Sequence, residues 1–506
     1  MDESSQLQQQ NHQLRSENEQ LRTENNLLRQ KLDALARRMF GKKSEQLNPA
    51  QLELLLAGII ASVGDPETEE QDEEPDRPRR RERRRNIQRV RTPENLEVVR
   101  EVIEPELVTA EPAAWKQISQ EVSRRLDYQP GKFFWQETVR PKYVRVDDRG
   151  LPPLLAPAIP QVIEGGLPAP GLLAQILVSR FCDHLPYYRQ SDIFAQRHQV
   201  HIPRQQMVQW VAGSVRLLSS ITDVILSELR QSSYVQVDET PIKYQNPDHP
   251  GGCSQGYLWT GLLPGRGVYY QWHTSRAAGC VEQLLGKAFR GHLQCDGYSA
   301  YPVYARSREH VHLVGCWAHA RRYIYEARQQ EPRRVGILLQ LIGQLHHWES
   351  QWRKSRAGPR LREAERSARA RPVLRRLRRI MEIYEPKVLP QSLLGKALTY
   401  ARNQWEHLER FVDAGQVEID NNLVENAIRP TAVGKKNWLF MGSAEAGERN
   451  AVIYTLVANC RMHGIEPYGY LKDVLTRLPR TTNQEVEQLT PLNWRKNRQT
   501  ALTAAA

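Results

Sequence analysis

Tyr234-Val-Gln-Val-Asp-Glu-Thr-Pro-Ile-Lys-Tyr244 alternates apolar and polar residues and is rich in β-branched and aromatic side chains, which predicts a strand. Gly256-Tyr-Leu-Trp-Thr-Gly-Leu-Leu263 and Gly267-Val-Tyr-Tyr-Gln-Trp272 follow at hairpin spacing and predict two more. Arg276–Arg290 reads as a helix. Gly291-His-Leu-Gln-Cys-Asp296 is a fourth short strand, ended by Gly297. After a second helical stretch, His310-Val-His-Leu-Val-Gly315 is a fifth.

Three strands in a meander, then helix, strand, helix, strand, is the order of a ribonuclease-H-like fold. The fold class expected is therefore multidomain α/β, with such a core (a mixed sheet with flanking helices) at its centre. In this order the first and fourth strands lie side by side. Asp238 shares a face with Gln236, opposite Val235 and Val237, and Asp296 shares a face with Gln294. The two carboxylates then converge at one end of the sheet. Held together they repel unless a divalent cation neutralises them. Magnesium suits such a site, being oxygen-seeking and commonly held by few carboxylates plus phosphate oxygens. A lone aspartate at a strand end is ordinarily a turn cap; two in matching positions argue for more.

A third acid comes from Glu418-Ile-Asp-Asn-Asn-Leu-Val-Glu-Asn-Ala-Ile-Arg-Pro430. Asp420 or Asn421 can cap a helix there. On that helix Asn421, Glu425 and Arg429 share a face, while Leu423, Val424, Ala427 and Ile428 form the packing side. Glu425 is thus the displayed acid. Its bland role is an ion pair with Arg429, worth a few tenths of a kcal/mol.

Outward from this core, charge and composition set the class. The 506 residues carry 71 Lys plus Arg against 58 Asp plus Glu, a net charge of +13, which points to a polyanionic partner such as nucleic acid. That length implies several domains, and a hydrophobic fraction of 40% excludes wholesale disorder. No apolar run approaches a membrane span, the best being Leu52–Ala61, and Met1-Asp-Glu-Ser-Ser-Gln lacks a secretory pattern. A soluble, cytoplasmic and nucleoid-associated protein without membrane contact is expected. Cys182, Cys253, Cys280, Cys295, Cys316 and Cys460 form no Cys-x-x-Cys pair, so reduced and mostly buried thiols are expected.

Residues 1–41 carry Leu7, Leu14, Leu21, Leu28 and Leu35 at sevenfold spacing, with Asn11, Asn18, Asn25 and Leu32 in the complementary register. Leucine at d with asparagine at a is the seam of a parallel two-stranded coiled coil, and predicts a homodimer or higher oligomer; a solitary helix with a leucine stripe is the alternative. Residues 42–95 form a charged linker, acidic over Gly64–Asp76 and then arginine-rich from Arg77 to Arg85. Residues 96–150 alternate in short runs and predict a small β-containing module. A proline-rich tether opens the 151–230 region, which is otherwise helical and is either a helix-turn-helix DNA reader or a packing collar for the next domain. The core is expected over 231–319, a helical insertion over 320–412, the glutamate helix over 413–445 and a helical C-terminal segment over 446–506.

Val235-Gln-Val-Asp-Glu-Thr, Cys295-Asp-Gly-Tyr, Asp420-Asn-Asn-Leu-Val-Glu and Gly434-Lys-Lys-Asn-Trp-Leu-Phe440 resemble the bacterial transposases of the insertion sequence 66 family. So do Arg38-Met-Phe-Gly-Lys-Lys-Ser-Glu45, Asp183-His-Leu-Pro-Tyr-Tyr-Arg189 and the tail from Pro467 to Pro479. The resemblance runs from about Arg37 to Pro479. It implies a DDE transposase in which Asp238, Asp296 and Glu425 are the catalytic acids and bind two magnesium ions, with manganese as a substitute. It implies the helical insertion. Cys316-Trp-Ala-His319 matches a Cys-x-x-His element of such enzymes; one Cys and one His are too few for structural zinc, so Cys316 and His319 are read as core support. Arg429, Lys435 and Lys436 are candidate DNA phosphate contacts, with a solvated basic face as the alternative.

Two departures from the family pattern stand out. Relatives carry a cysteine-paired zinc module after the acidic linker, whereas this chain has no cysteine before Cys182. No zinc is expected there, and the module is expected to fold on Trp115, Phe133, Phe134, Trp135 and Tyr143. Asn426 stands where arginine is common. The function implied is binding to the ends of the chain's own element, followed by metal-dependent cleavage and strand transfer, with target DNA and accessory proteins of the same element as further partners. The alternatives are a catalytically inactive or repurposed DNA-binding regulator and a nuclease that stops at hydrolysis. A basic-zipper factor is disfavoured, because its basic helix would directly precede the heptads.

Overall fold

The strand read over Tyr234–Tyr244 forms and runs one residue further, to Gln245. In the computed structural model, which describes residues 131–136, 142–143, 154–155 and 160–505, β1 spans Tyr234–Gln245, β2 Cys253–Leu263, β3 Gly267–His273, β4 Gly291–Gln294 and β5 Val311–Val314. They make one five-stranded sheet in the order β3-β2-β1-β4-β5. The meander β1-β2-β3 is antiparallel, and β4 and β5 add in parallel to the other edge of β1. β1 continues seven residues past Asp238, paired there with β2 and, at Tyr244, with Met441 on its other side. Pro241 lies in that stretch. Its carbonyl accepts from Lys435 Nζ rather than from the ladder, so this position faces the open side, where a missing N–H costs no strand pairing. Gly291 opens β4 at φ +134°, and a Cβ there would lie 2.1 Å from the Ser233 carbonyl oxygen, so the close approach of β4 to β1 needs glycine.

Helices cover both faces. α1 (Pro170–Phe181), α2 (Tyr187–His198) and α3 (Arg204–Gln231) precede the sheet. α4 (Ala278–Leu285) and α5 (Ala300–Ala305) lie within it. α6 (Trp317–Glu326), α7 (Pro332–Lys354), α8 (Pro359–Glu365), a π-helical turn at Arg366–Ala370, α9 (Arg371–Tyr384), α10 (Leu393–Asn403) and α11 (Trp405–Glu409) follow β5. α12 (Asn422–Trp438), α13 (Ala444–Met462), α14 (Pro467–Arg477) and α15 (Pro491–Ala505) complete the chain. Val235, Val237, Trp259, Leu293 and Leu313 share one buried cluster with α4 and α5. Leu258, Leu262, Val268, Tyr270 and Trp272 share another with α1, α3, α13 and α14. The helices after β5 build a core around Leu338, Leu345, Leu374, Leu377 and Leu398.

Several expectations need correction. The helix read over Arg276–Arg290 is only Ala278–Leu285, stopped by Gly286 at φ +79°. The 28-residue α3 is, among the described helices, long and apolar enough to cross a membrane by length and composition; Met207, Trp210, Leu218, Ile221 and Leu229 are buried in the protein instead. On the same helix Val208 is exposed, while Val211 and Val215 are buried. α1 and α3 pack with α13 and α14. Of the small β module, residues 131–136 and 142–143 are described, and Lys142–Tyr143 pair with Leu154–Leu155 of the tether. Phe133 packs edge-on against Phe194 at 5.2 Å, but Phe134 is 76% and Trp135 82% exposed, so these two are no core. Trp115, the heptads and the charged linker lie outside the described residues. All six cysteines are free, and Cys280, Cys295, Cys316 and Cys460 are buried as expected.

Candidate active site

β1 and β4 are register partners from Tyr234 with His292 through Gln236 with Gln294. Asp238 and Asp296 each lie two residues beyond the last β1–β4 pair, so they stand at the same level, Asp238 within β1 and Asp296 just past the end of β4, on neighbours spaced about 4.8 Å apart. Backbone N–H groups hold each carboxylate: Glu239 donates to Asp238 Oδ1 and Tyr298 to Asp296 Oδ1, both at 2.9 Å. Gly297 follows Asp296 at once; a Cβ there would meet Tyr400 at 2.8 Å. Burial, and then the negative charges of Glu239, Asp296 and Glu425, push the Asp238 carboxyl up to about 8. The charges of Asp296 and Glu425 thus both reach Asp238.

Glu425 stands in the first turn of α12, which packs on β1. Val424 and Ile428 are buried as expected, but Leu423 is exposed. Asn421 occupies the N-cap without a side-chain cap bond, and it is Asp420 Oδ1 that accepts from the Asn422 N–H at 3.1 Å. Glu425 faces His319 rather than pairing with Arg429: Oε1 lies 3.6 Å from His319 Nδ1. Burial lowers the His319 pKa, against the pull of Glu425. Cys316 is fully buried, accepts the Asn421 N–H at 3.4 Å, and is held up to about 12 by burial. Ligand atoms of Cys316, His319 and Glu425 lie within 4.8 Å of one another, so the pair read as core support also borders the acids.

Arg429 and Lys436 are exposed at the surface of α12. Lys435 reaches back to β1 and donates to the Pro241 carbonyl at 3.2 Å, which spends one of its three donors on the protein.

One constellation escaped the sequence reading. Glu239, adjacent to Asp238 but on the opposite face, is buried and accepts from Tyr301 Oη at 2.6 Å and Arg276 Nε at 2.7 Å. The Arg276 guanidinium stacks 3.7 Å over the Tyr298 ring and remains 39% exposed. The doubled acid Asp238-Glu239 was the available signal; following one face of the strand discarded it.

The site fits a hard divalent cation. Its donors are carboxylate oxygens, Glu425 Oε1 is buried without a hydrogen-bond partner, and so are both amide atoms of Asn421. A buried carboxylate cluster without compensation is costly.

Comparison with known proteins gives the family. The family model described as Transposase IS66 family matches residues 165–449. The chain belongs to the IS66 transposase family. The IS66 C-terminal element matches residues 455–492, over α13 and α14, and residues 27–100 match a model described as Transposase C of IS166 homeodomain. DNA is therefore the partner that the IS66 transposase matches imply. Similar proteins from Sinorhizobium fredii (strain NBRC 101917 / NGR234) are each named as uncharacterized. One, y4qI, is 36% identical over 79% of this chain and 76% of its own length. A second, y4jD, is 31% identical over 80% and 81%. A third, y4hP, is 27% identical over 92% and 88%.

Proposed function

We propose that the chain is a DDE-type transposase that binds the ends of its own insertion sequence, cuts the DNA there and joins the ends to a target, on a ribonuclease-H-like core. The observation that carries this reading is the placement of Asp238 and Asp296 at one level of β1 and β4, with Glu425 close enough to raise the Asp238 carboxyl. Asp238, Asp296 and Glu425 would hold two magnesium ions, which activate water or a 3′-hydroxyl as attacking group and stabilise the leaving oxygen. Manganese would substitute. The protein holds the three carboxylates in place through the Glu239 and Tyr298 N–H groups and through α12. Arg429 and Lys436 would contact phosphates; Cys316 and His319 would support Glu425. Arg276, stacked on Tyr298 beside Asp296, is a further cation aimed at the same region.

The N-terminal heptads would pair two copies, and the enzyme would act on DNA in the cytoplasm. Deleting residues 1–41 then shifts the free protein toward monomer in sedimentation; an unchanged mass distribution places the dimer contact elsewhere. The deciding experiment is a cleavage and strand-transfer assay on the element's end sequences with magnesium. Asp238→Ala, Asp296→Ala and Glu425→Ala are expected to abolish both steps while binding to the ends persists. Normal cutting by Glu425→Ala with loss in Asp420→Ala would reassign the third acid. Binding without cutting by the unaltered chain would favour the repurposed regulator.

A further inference from the structure

We propose that Gln236 and Gln294 are positioning residues that set the glutamate helix, and with it Glu425, against the two strands bearing Asp238 and Asp296. This rests on the three-acid reading above. The glutamines are register partners on parallel strands, each two residues before its aspartate, and both are fully buried. Gln236 Nε2 donates to Gln294 Oε1 at 2.9 Å, which knits the pair across the sheet.

Most of their remaining amide capacity goes to one target, the chain leading into α12. Gln294 Nε2 donates to the Glu418 carbonyl at 2.8 Å, with a longer contact to Gly315 at 3.3 Å. Gln236 Nε2 donates to the Asp420 carbonyl at 3.0 Å. Gln236 Oε1 accepts the Val424 N–H at 3.3 Å, shared with the Asn421 carbonyl. Tyr234, on the same face of β1, donates its hydroxyl to Gln294 Oε1 and accepts the Glu418 N–H at 2.9 Å.

The Val424 N–H belongs to the first turn of α12, where a helix leaves its donors without intrahelical partners. The N-cap side chain ordinarily serves them. The Asn421 side chain holds that position and does not; the Val424 N–H is instead divided between the Asn421 carbonyl at 3.1 Å and the strand glutamine at 3.3 Å. Glu425 is the next residue. Contacts at 418, 420 and 424 fix both the height and the rotation of the helix start, so the carboxylate of Glu425 is placed by the same two side chains that precede the aspartates. If the amides only stabilised the fold, an apolar side chain of similar size would cost stability and leave the acids' cation affinity alone.

The test uses full-length protein and Mn2+ as the probe, with binding read by electron paramagnetic resonance and thermal unfolding followed in parallel. Gln236→Met and Gln294→Met should each weaken Mn2+ binding about tenfold or more, the range seen when a partner behind a metal ligand is lost. Leu398→Ala, a cavity in the insertion core, should lower the melting temperature and leave Mn2+ affinity within about twofold. Tyr234→Phe, which removes one hydroxyl, serves if a glutamine variant does not fold, and should weaken binding measurably. Wild-type affinity in the glutamine variants, or in Tyr234→Phe where those do not fold, overturns the proposal. So does an equal loss in Leu398→Ala, because the effect then follows stability. If the unaltered protein binds no more Mn2+ than Asp238→Ala, the three-acid reading itself fails, and the positioning role with it.

Discussion

His319 Nδ1 lies 3.6 Å from Glu425 Oε1, and neither atom has a hydrogen-bond partner. Burial lowers the His319 pKa, so the imidazole is neutral near pH 7 and leaves the carboxylate its lone pairs. With Cys316 nearby, the same atoms form a three-donor cluster. The choice between a sulfur-and-nitrogen metal and an oxygen-bound one turns on the thiol. A zinc ligand must be a thiolate; in the metal-free protein burial opposes that form at Cys316 and outweighs the backbone N–H that favours it. Purified protein is therefore expected to contain no stoichiometric zinc by elemental analysis. One zinc per chain, lost in Cys316→Ala, would assign Glu425 to that ion instead.

Asp238 gives a pH dependence with a definite sign. Its folded-state pKa is raised from 3.8 to about 8, chiefly by burial and then by neighbouring acids. A raised carboxyl contributes stability that is present below the unfolded value and lost as pH rises through the folded one. Metal-free protein should lose stability between about pH 4 and pH 8 through this group, and Asp238→Asn should lose less. Magnesium should raise the melting temperature of the natural chain more at pH 8 than at pH 5, and should do little for the variant. A magnesium shift independent of pH would dissociate Asp238 from the cation.

Arg366 and Glu349 make the most buried ion pair described in the insertion, at 0% and 1% side-chain exposure. All five guanidinium donors are used: two on Glu349 and three on the carbonyls of Phe411, Ala414 and Val417. Burial alone would raise the Glu349 pKa, but Arg366 and Arg362 outweigh it and hold it below the ordinary value. Removing one partner of a buried pair costs about 3–5 kcal/mol, so Arg366→Ala should lose that much in urea unfolding. Glu349 contributes stability that is present above its unfolded pKa and lost as pH falls through the lower folded one. A loss for Arg366→Ala under about 1 kcal/mol, the scale of an exposed pair, would show that water enters the site.

The same pair shows where sequence reading stops. The strands were legible because alternation reports which face is buried, and with them the level of Asp238 and Asp296. Glu425 was legible from helical spacing. Arg366 and Glu349 sit in helices crowded with arginine, where a charged residue reads as solvated; only the return of the 411–417 chain over them makes them internal. Glu239 was passed over because it faces away from Asp238. Gln236 and Gln294 were noticed only as face markers, since their partners lie 184 and 124 residues away at Asp420 and Glu418. Phe134 and Trp135 failed the other way: aromatic composition was read as core, and both side chains are exposed.

Salt dependence tests the basic surface residue by residue. A protein that neutralises Z phosphates of duplex DNA loses affinity with a log–log slope of about −0.9Z. With a net charge of +13, end binding should show a slope several units in magnitude. Arg429 and Lys436 are exposed at the surface of α12, beyond Glu425, so Arg429→Ala and Lys436→Ala should each reduce that slope by about one unit and weaken binding alike on end and unrelated sequences. Lys435 is already bonded to the Pro241 carbonyl, and Lys435→Ala should change the slope less than Lys436→Ala does. Equal effects of the two lysines would mean that the Pro241 contact yields to DNA. Slopes unchanged in all three variants would move the phosphate contacts off this helix and toward the arginine-rich stretch between Arg77 and Arg85.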